Sequence, residues 1–231
     1  MQNSIIDVII PAYNEEKSIP LVIEAIPKKI IRNIVVSNNA STDNTAEVAS
    51  NLGTIVVTEN KKGYGAACLK AMKYIADGEV KPDIIVFLDA DFSDYPDEMI
   101  NLIELIEKNL ADMVIGSRIK RKREKGSMMP QQIFGNWLAT FLMRILYGYK
   151  YTDLGPFRAI RYNTLIELNM QDTNYGWTVE MQLKAKRLNK RVCEIPVSYR
   201  KRVGVSKVSG TVKGTIMAGY KIILTIFKYR K

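Results

Sequence analysis

Through the first half of the chain, short apolar runs alternate with helical patterns. Ile5 to Ile10 precedes Glu15 to Lys28, Asn33 to Ser37 precedes Thr42 to Asn51, and Thr54 to Thr58 precedes Gly65 to Ala76. Two further runs follow: Asp83 to Leu88, ahead of a helix near Asp97 to Lys108, and Asp112 to Gly116. Strands that alternate with helices are joined by right-handed crossovers, which makes the sheet mostly parallel and covers both its faces. The pattern predicts an α/β fold. Ligands of such sheets bind at the carboxyl ends of the strands, so Pro11, Asn38, Asp89 and Ser117 are expected to converge on one cleft.

Beyond Arg118 the alternation gives way to a basic run from Lys120 to Gly126, read as a loop. From Gln131 to Tyr149, residues Ile133, Phe134, Trp137, Leu138, Phe141, Leu142, Ile145 and Leu146 repeat at helical spacing opposite a row of Gln132, Asn136, Thr140 and Arg144. That is an amphipathic helix, suited to packing on the sheet or to lying in a membrane interface. The last quarter reads as a strand or turn at Gly155 to Ile160, a helix near Trp177 to Leu188 and a strand at Arg191 to Val197. A glycine-punctuated basic loop then leads to a final helix, Thr211 to Tyr229. No repeat or linker divides the chain, and 231 residues with 47% hydrophobic content suit a single domain, 1–231. Its halves are expected to divide the labour, residues 1–118 holding a nucleotide and 119–231 facing acceptor and membrane.

Thirty-four basic against 24 acidic residues leave a net charge of +10, which calls for an anionic partner: phosphate, an acidic membrane or nucleic acid. Cys68 and Cys193 lie in apolar contexts and read as two reduced thiols in a cytoplasmic compartment. No signal peptide is visible, and no apolar stretch reaches the roughly 20 residues a spanning helix needs. The chain contains no histidine, the usual general base. Its chemistry must therefore rest on carboxylates, on cations or on the substrate.

Phe87-Leu88-Asp89-Ala90-Asp91 ends the fourth apolar run with two carboxylates one residue apart. On an extended chain both point to the same face, where they can share one hard cation carrying a diphosphate. Pro11-Ala12-Tyr13-Asn14-Glu15 follows the first run, and Tyr13 offers a flat ring and a hydroxyl to a base or ribose, with Asn14 or Glu15 as acceptor. Ser37-Asn38-Asn39-Ala40-Ser41-Thr42-Asp43 follows the second, with Thr42 as the expected N-cap of the next helix. Lys61-Lys62-Gly63-Tyr64-Gly65 lacks the Gly-Lys-Ser/Thr ending of a phosphate loop and reads as a tight turn lining the pocket. Gly116-Ser117-Arg118 follows the fifth run, and Arg202-Val203-Gly204-Val205-Ser206-Lys207 lies near the end.

In this order and spacing the motifs resemble the family 2 nucleotide-sugar glycosyltransferases of the GT-A, Rossmann-like fold, and most closely the polyprenyl-phosphate hexosyltransferases such as the dolichyl-phosphate mannose and glucose synthases. The resemblance covers essentially the whole chain. It implies an inverting transferase that uses Mg²⁺ or Mn²⁺ on Asp89 and Asp91, and a UDP- or GDP-sugar donor. The nucleotide would lie among Pro11, Ala12, Tyr13, Glu15, Asn38, Asn39, Asp89 and Ala90. Arg118, Arg202, Ser206 and Lys207 would handle phosphate, and Asp153 and Arg158, in Thr152 to Arg158, would face the acceptor. Family members usually carry two aspartates where this chain has Asn38-Asn39, although an amide carbonyl can still pair with a base edge.

A sugar hydroxyl attacks only after a base has taken its proton, whereas a lipid phosphate is already ionised. A chain without histidine therefore suits a phosphate acceptor, and the resemblance implies that this is polyprenyl (dolichyl or undecaprenyl) phosphate, taken at the inner membrane face by a peripherally bound enzyme of cell-envelope glycan synthesis. The alternative is a soluble family 2 transferase acting on a hydroxyl, for which Asp153 or Glu180 would be the base. A nucleic-acid-binding module would use the same net charge but leave Asp89 and Asp91 unexplained, so no nucleic-acid partner is expected. A sugar-nucleotide sensor without turnover is the remaining class.

Overall fold

The computed structural model describes residues 4–119, 123–204 and 212–229. Residues 120–122 of the basic run, Ser206 and Lys207 lie outside the described residues.

The chain runs β1 (Ile6–Ala12), α1 (Ile19–Ala25), β2 (Asn33–Asn38), α2 (Thr45–Asn51), β3 (Ile55–Thr58), α3 (Tyr64–Asp77), β4 (Ile84–Phe87), α4 (Met99–Glu107) and β5 (Met113–Ser117). It continues through α5 (Pro130–Tyr147), β6 (Arg158–Arg161), α6 (Tyr162–Leu168), α7 (Trp177–Arg187), β7 (Val192–Pro196) and α8 (Val212–Lys228). The described strands form one seven-stranded sheet in the order β3-β2-β1-β4-β6-β5-β7. β1, β2, β3 and β4 pair in parallel, as do β5 and β7. β6 lies antiparallel between β4 and β5 and makes the sheet mixed.

Every residue of β1 is buried, and its side chains alternate between two cores with the period of two that a strand imposes. Ile9 joins Ile85 and Phe87 on the face covered by Cys68 and Ala71 of α3, Ala139 and Met143 of α5, and Trp177 of α7. Val8 and Ile10 join Ile84 and Val86 on the opposite face, under Ile19 and Ile23 of α1 and Leu102 and Ile106 of α4. This two-sided burial is what a parallel sheet flanked by helices requires. Both cysteines are free thiols, Cys68 fully buried.

One local expectation, the N-cap of α2, is corrected, and the segment around β6 is resolved further. The segment at 155–160 becomes a strand only from Arg158, because Phe157 N-terminal to it lies in the core and Gly155 packs against Gly116. α6 follows it directly and was not anticipated. Thr42 does not cap α2, which begins at Thr45; Asp43 Oδ1 instead accepts from the Thr45 amide at 3.0 Å. Thr42 and Ser41 are occupied across the cleft mouth, where Thr42 N donates to Asn14 Oδ1 at 2.7 Å and Asn14 N donates to Ser41 Oγ at 3.0 Å.

Candidate active site

After β1 the chain goes outward to β2 and β3, then returns on the other side of β1 as β4. The loops leaving β1 and β4 therefore diverge, and the gap between them is the switch point where an open α/β sheet takes its ligand. A cleft of about 330 Å³ lies there. β1 and its loop supply Pro11, Ala12, Tyr13 and Glu15; the β3–α3 turn supplies Lys62, Gly63 and Tyr64; β4's end supplies Asp89, Ala90 and Asp91. Asn39, Asn174, Tyr175 and Arg202 complete the wall with Ala67. Asn14 reaches its place with a left-handed backbone (φ 53°), held there by the Ser41 and Thr42 bonds.

Asp91 is nearly buried, and its Oδ1 accepts from the Ser93 amide at 2.9 Å and from the Ser93 hydroxyl at 2.5 Å. Asp89 Oδ1 accepts from the Tyr64 hydroxyl at 3.0 Å. Burial, and then the Asp91 charge beside it, push the Asp89 carboxyl up to about 7. Two carboxylates one residue apart that both line the cleft fit a hard divalent cation. Among the described residues no third carboxylate or thiol joins them, which leaves further positions to phosphate oxygens and water. Arg202 spans the opening: one guanidinium nitrogen lies 2.5 Å from Glu15 Oε1 and the other 3.1 Å from Asp91 Oδ2.

On the β1 side of the cleft, Lys62 Nζ lies 3.2 Å from the Tyr13 hydroxyl and 5.0 Å from its ring centroid. Asn39 donates to the carbonyls of Glu59 (3.1 Å) and Lys61 (2.8 Å) and accepts from Gly63 N (2.8 Å). Its NH2 group is thus engaged in stapling two loops, and its carbonyl oxygen, which accepts one bond, keeps a second lone pair at the cleft wall. Asn38 does not line the cleft; its Oδ1 accepts from Ser41 N at 3.2 Å.

Several residues expected near the acceptor are instead parts of the frame. Asp153, fully buried, accepts from Arg118 N (2.7 Å) and Nε (2.9 Å) on one oxygen and from Arg118 Nη2 (2.6 Å) on the other. Its charge, despite the opposing effect of burial, keeps the Arg118 guanidinium protonated well beyond its usual range. Arg158 has no exposed surface; it donates to the Thr178 and Leu154 carbonyls at 3.2 and 3.4 Å and to that of Gly155, and burial lowers it to about 10. It braces backbone and does not reach the cleft. Glu180, also fully buried, is filled by donors of the 171–172 backbone, by Tyr229 and by Lys184. Neither Asp153 nor Glu180 is placed as a base.

The turn that carries Tyr64 lines the cleft as expected, and Asn174 and Tyr175, which nothing in the sequence singles out, line it too. Tyr64 had a signal, a ring between two glycines in a turn that opens a helix. Asn174 and Tyr175 come from a loop more than 80 residues past the acidic pair, and only the fold brings them there.

The family model described as glycosyl transferase family 2 matches residues 7–168. An uncharacterized glycosyltransferase of Mycobacterium tuberculosis is 34% identical over 220 residues, covering 94% of this chain and 96% of that protein. An undecaprenyl-phosphate mannosyltransferase of Micrococcus luteus is 29% identical, covering 89% and 88%. Among solved structures, glucosyl-3-phosphoglycerate synthase of M. tuberculosis, in complex with Mn²⁺, UDP and phosphoglyceric acid, superposes with a TM-score of 0.79 at 20% identity, over 98% of this chain and 78% of that one. That likeness identifies the GT-A fold, whose mostly parallel sheet flanked by helices is the one described above. With the model matching from β1 to the end of α6 and the switch-point cleft built from its motifs, this chain is a glycosyltransferase and belongs to glycosyl transferase family 2.

Proposed function

We propose that this transferase moves a hexose from a UDP- or GDP-sugar to a polyprenyl phosphate, with inversion, while docked peripherally on the inner, anionic face of a membrane. The observation that carries the lipid part is an apolar face that no described residue covers. On α5, Phe134, Trp137, Phe141 and Ile145 are 61, 54, 43 and 62% exposed, and Trp137 stacks on Phe141 at 5.4 Å. α8 packs beside α5 and adds exposed Ile216, Met217, Tyr220, Leu224 and Phe227. Soluble proteins rarely leave so much contiguous apolar surface in water. Arg144, Lys150 and Lys228 are exposed on or next to these helices, the charge an anionic lipid surface selects. Among the described residues no helix is long and apolar enough to cross a membrane.

In this reading Asp89 and Asp91 hold Mg²⁺ or Mn²⁺, which when bound neutralises the charge that grows on the departing nucleoside diphosphate. Arg202 sits where it can exchange its Glu15 and Asp91 partners for phosphate oxygens, and Tyr13 with Lys62 forms the floor for base and ribose. Arg118, fixed by Asp153, keeps one positive charge near the end of β5; Ser206 and Lys207 follow Arg202 in sequence and are proposed to assist it. The carboxylates built into the frame do not offer a base, and an acceptor that arrives ionised needs none. The similarity to an undecaprenyl-phosphate mannosyltransferase supports the same acceptor class.

Incubation of the protein with Mn²⁺, radiolabelled UDP- and GDP-sugars and undecaprenyl phosphate tests the reading. Label is expected in the solvent-extractable lipid. Label that stays in the aqueous phase, transferred to a sugar or small-molecule hydroxyl, would overturn the lipid acceptor and favour the soluble alternative.

A further inference from the structure

The loop between α6 and α7 supplies Asn174 and Tyr175 to the cleft and is fastened on two sides. Towards the nucleotide side it lies against the turn that opens α3. Ala66 N donates to Thr173 O at 2.9 Å, and a Cβ on Gly63 or Gly65 would stand 2.2 Å from Thr173 O or 2.0 Å from Asp172 O. No side chain other than glycine allows that approach.

Towards the far side the loop is held by two carboxylates. Glu180 accepts from Gln171 N at 3.0 Å, from Asp172 N at 2.7 Å and from the Tyr229 hydroxyl at 2.8 Å, and pairs with Lys184 at 2.6 Å. A fully buried carboxylate persists only with donors of this number. Asp172 folds the loop on itself, accepting from Asn174 N at 2.7 Å and Gly176 N at 3.2 Å, and its other oxygen meets Lys221 of α8 at 3.1 Å. Gly176 lies so close to α8 that a Cβ would stand 2.3 Å from Thr225 Oγ1.

We infer that Asp172 and Glu180 are positioning residues of the donor cleft, and that α8, through Lys221 and Tyr229, acts as a strut that sets how tightly the cleft holds a nucleotide. The inference rests on the nucleotide-sugar reading of that cleft. Neither carboxylate touches the ligand space; both act through the backbone that carries Asn174 and Tyr175. A helix with an exposed apolar face thereby becomes a determinant of donor affinity at the opposite end of the loop.

Calorimetric titration of the full chain with UDP and with GDP in the presence of Mn²⁺, paired with thermal midpoints measured without nucleotide, tests this. Asp172→Ala removes the loop's internal acceptor and is expected to weaken nucleotide binding about tenfold, the worth of a charge-assisted hydrogen bond. Asp172→Asn keeps an oxygen for Asn174 N and Gly176 N and is expected to recover most of that loss. Tyr229→Phe, which deletes one oxygen and leaves the fold, is expected to weaken binding about threefold. Glu107→Ala, at the exposed end of α4, is expected to leave the affinity unaltered. If Asp172→Ala and Tyr229→Phe lower the thermal midpoint with nucleotide affinity unchanged, their role is structural and the inference is overturned. Wild-type protein that binds neither nucleotide overturns the donor reading and this inference with it. Should Asp172→Ala fail to fold, Tyr229→Phe decides.

Discussion

Asp153 looks, in sequence, like an acid available for proton transfer; in the fold it is a counter-charge. It has no exposed surface, and one side chain and its own amide fill both of its oxygens. The Thr152 and Asp153 amides in turn donate to Glu194 at 2.9 and 3.1 Å, which ties the segment to β7. Removing one member of a buried pair leaves the other charge stranded, so Asp153→Asn is expected to destabilise the protein by about 3 kcal/mol, measured by urea unfolding. A drop in turnover at unchanged stability would instead mark Asp153 as a base. Which residues carry polar side chains at strand ends was legible in the sequence, because the period and the breakers mark those ends. Which of them are already spoken for was not. Arg118 and Asp153 are 35 positions apart and Thr152 and Glu194 are 42 apart, and the pairings exist only once β5, β6 and β7 are side by side.

At the scale of elements, the parallel half of the sheet was readable because β1 and β4 are buried along their whole length and β2 over its last four residues, so each carries a short, mostly apolar run. β6 was harder. Arg158 and Arg161 bracket only two apolar residues, and the terminal nitrogens of the buried Arg158 guanidinium donate to backbone carbonyls, which lets so polar a segment enter the middle of the sheet. α5 was read as amphipathic, but the sequence could not say which of its apolar residues stay outside. The buried ones are Ala139 and Met143 with Asn136, which bonds to the backbone of Thr152 and Leu154, and Thr140, which bonds to the Asn136 carbonyl, whereas the aromatic row faces out. That inversion argues for a partner of the aromatic row. Trp137→Ser combined with Phe141→Ser is therefore expected to leave the thermal midpoint within a degree or so, since exposed positions contribute little to folding, while vesicle binding falls by about tenfold or more. An unfolded double variant, or unaltered vesicle binding, would show that the row packs within the protein or has no lipid role.

The whole molecule combines two cores on either face of one sheet with a net charge of +10, and only the second of these bears on where it works. Charge acts at the range of the Debye length, which falls from about 10 Å at 0.1 M salt to about 3 Å at 1 M. Docking on an anionic bilayer through basic residues, each contributing roughly 1 kcal/mol near the surface, should fade over that range, whereas insertion of the α5 and α8 side chains should not. Sedimentation with vesicles that contain anionic lipid is therefore expected to show strong binding at low salt and a weaker residue of binding at 1 M salt, and purely zwitterionic vesicles are expected to show only that weaker residue, at any salt. The residual part should vanish in the Trp137→Ser, Phe141→Ser protein, and the salt-sensitive part should survive in it. Equal binding to both vesicle types would remove charge from the docking mechanism. Salt-sensitive binding to duplex DNA as tight as to the anionic vesicles would mean that the positive charge is generic and that the lipid surface is chosen by the aromatic row alone.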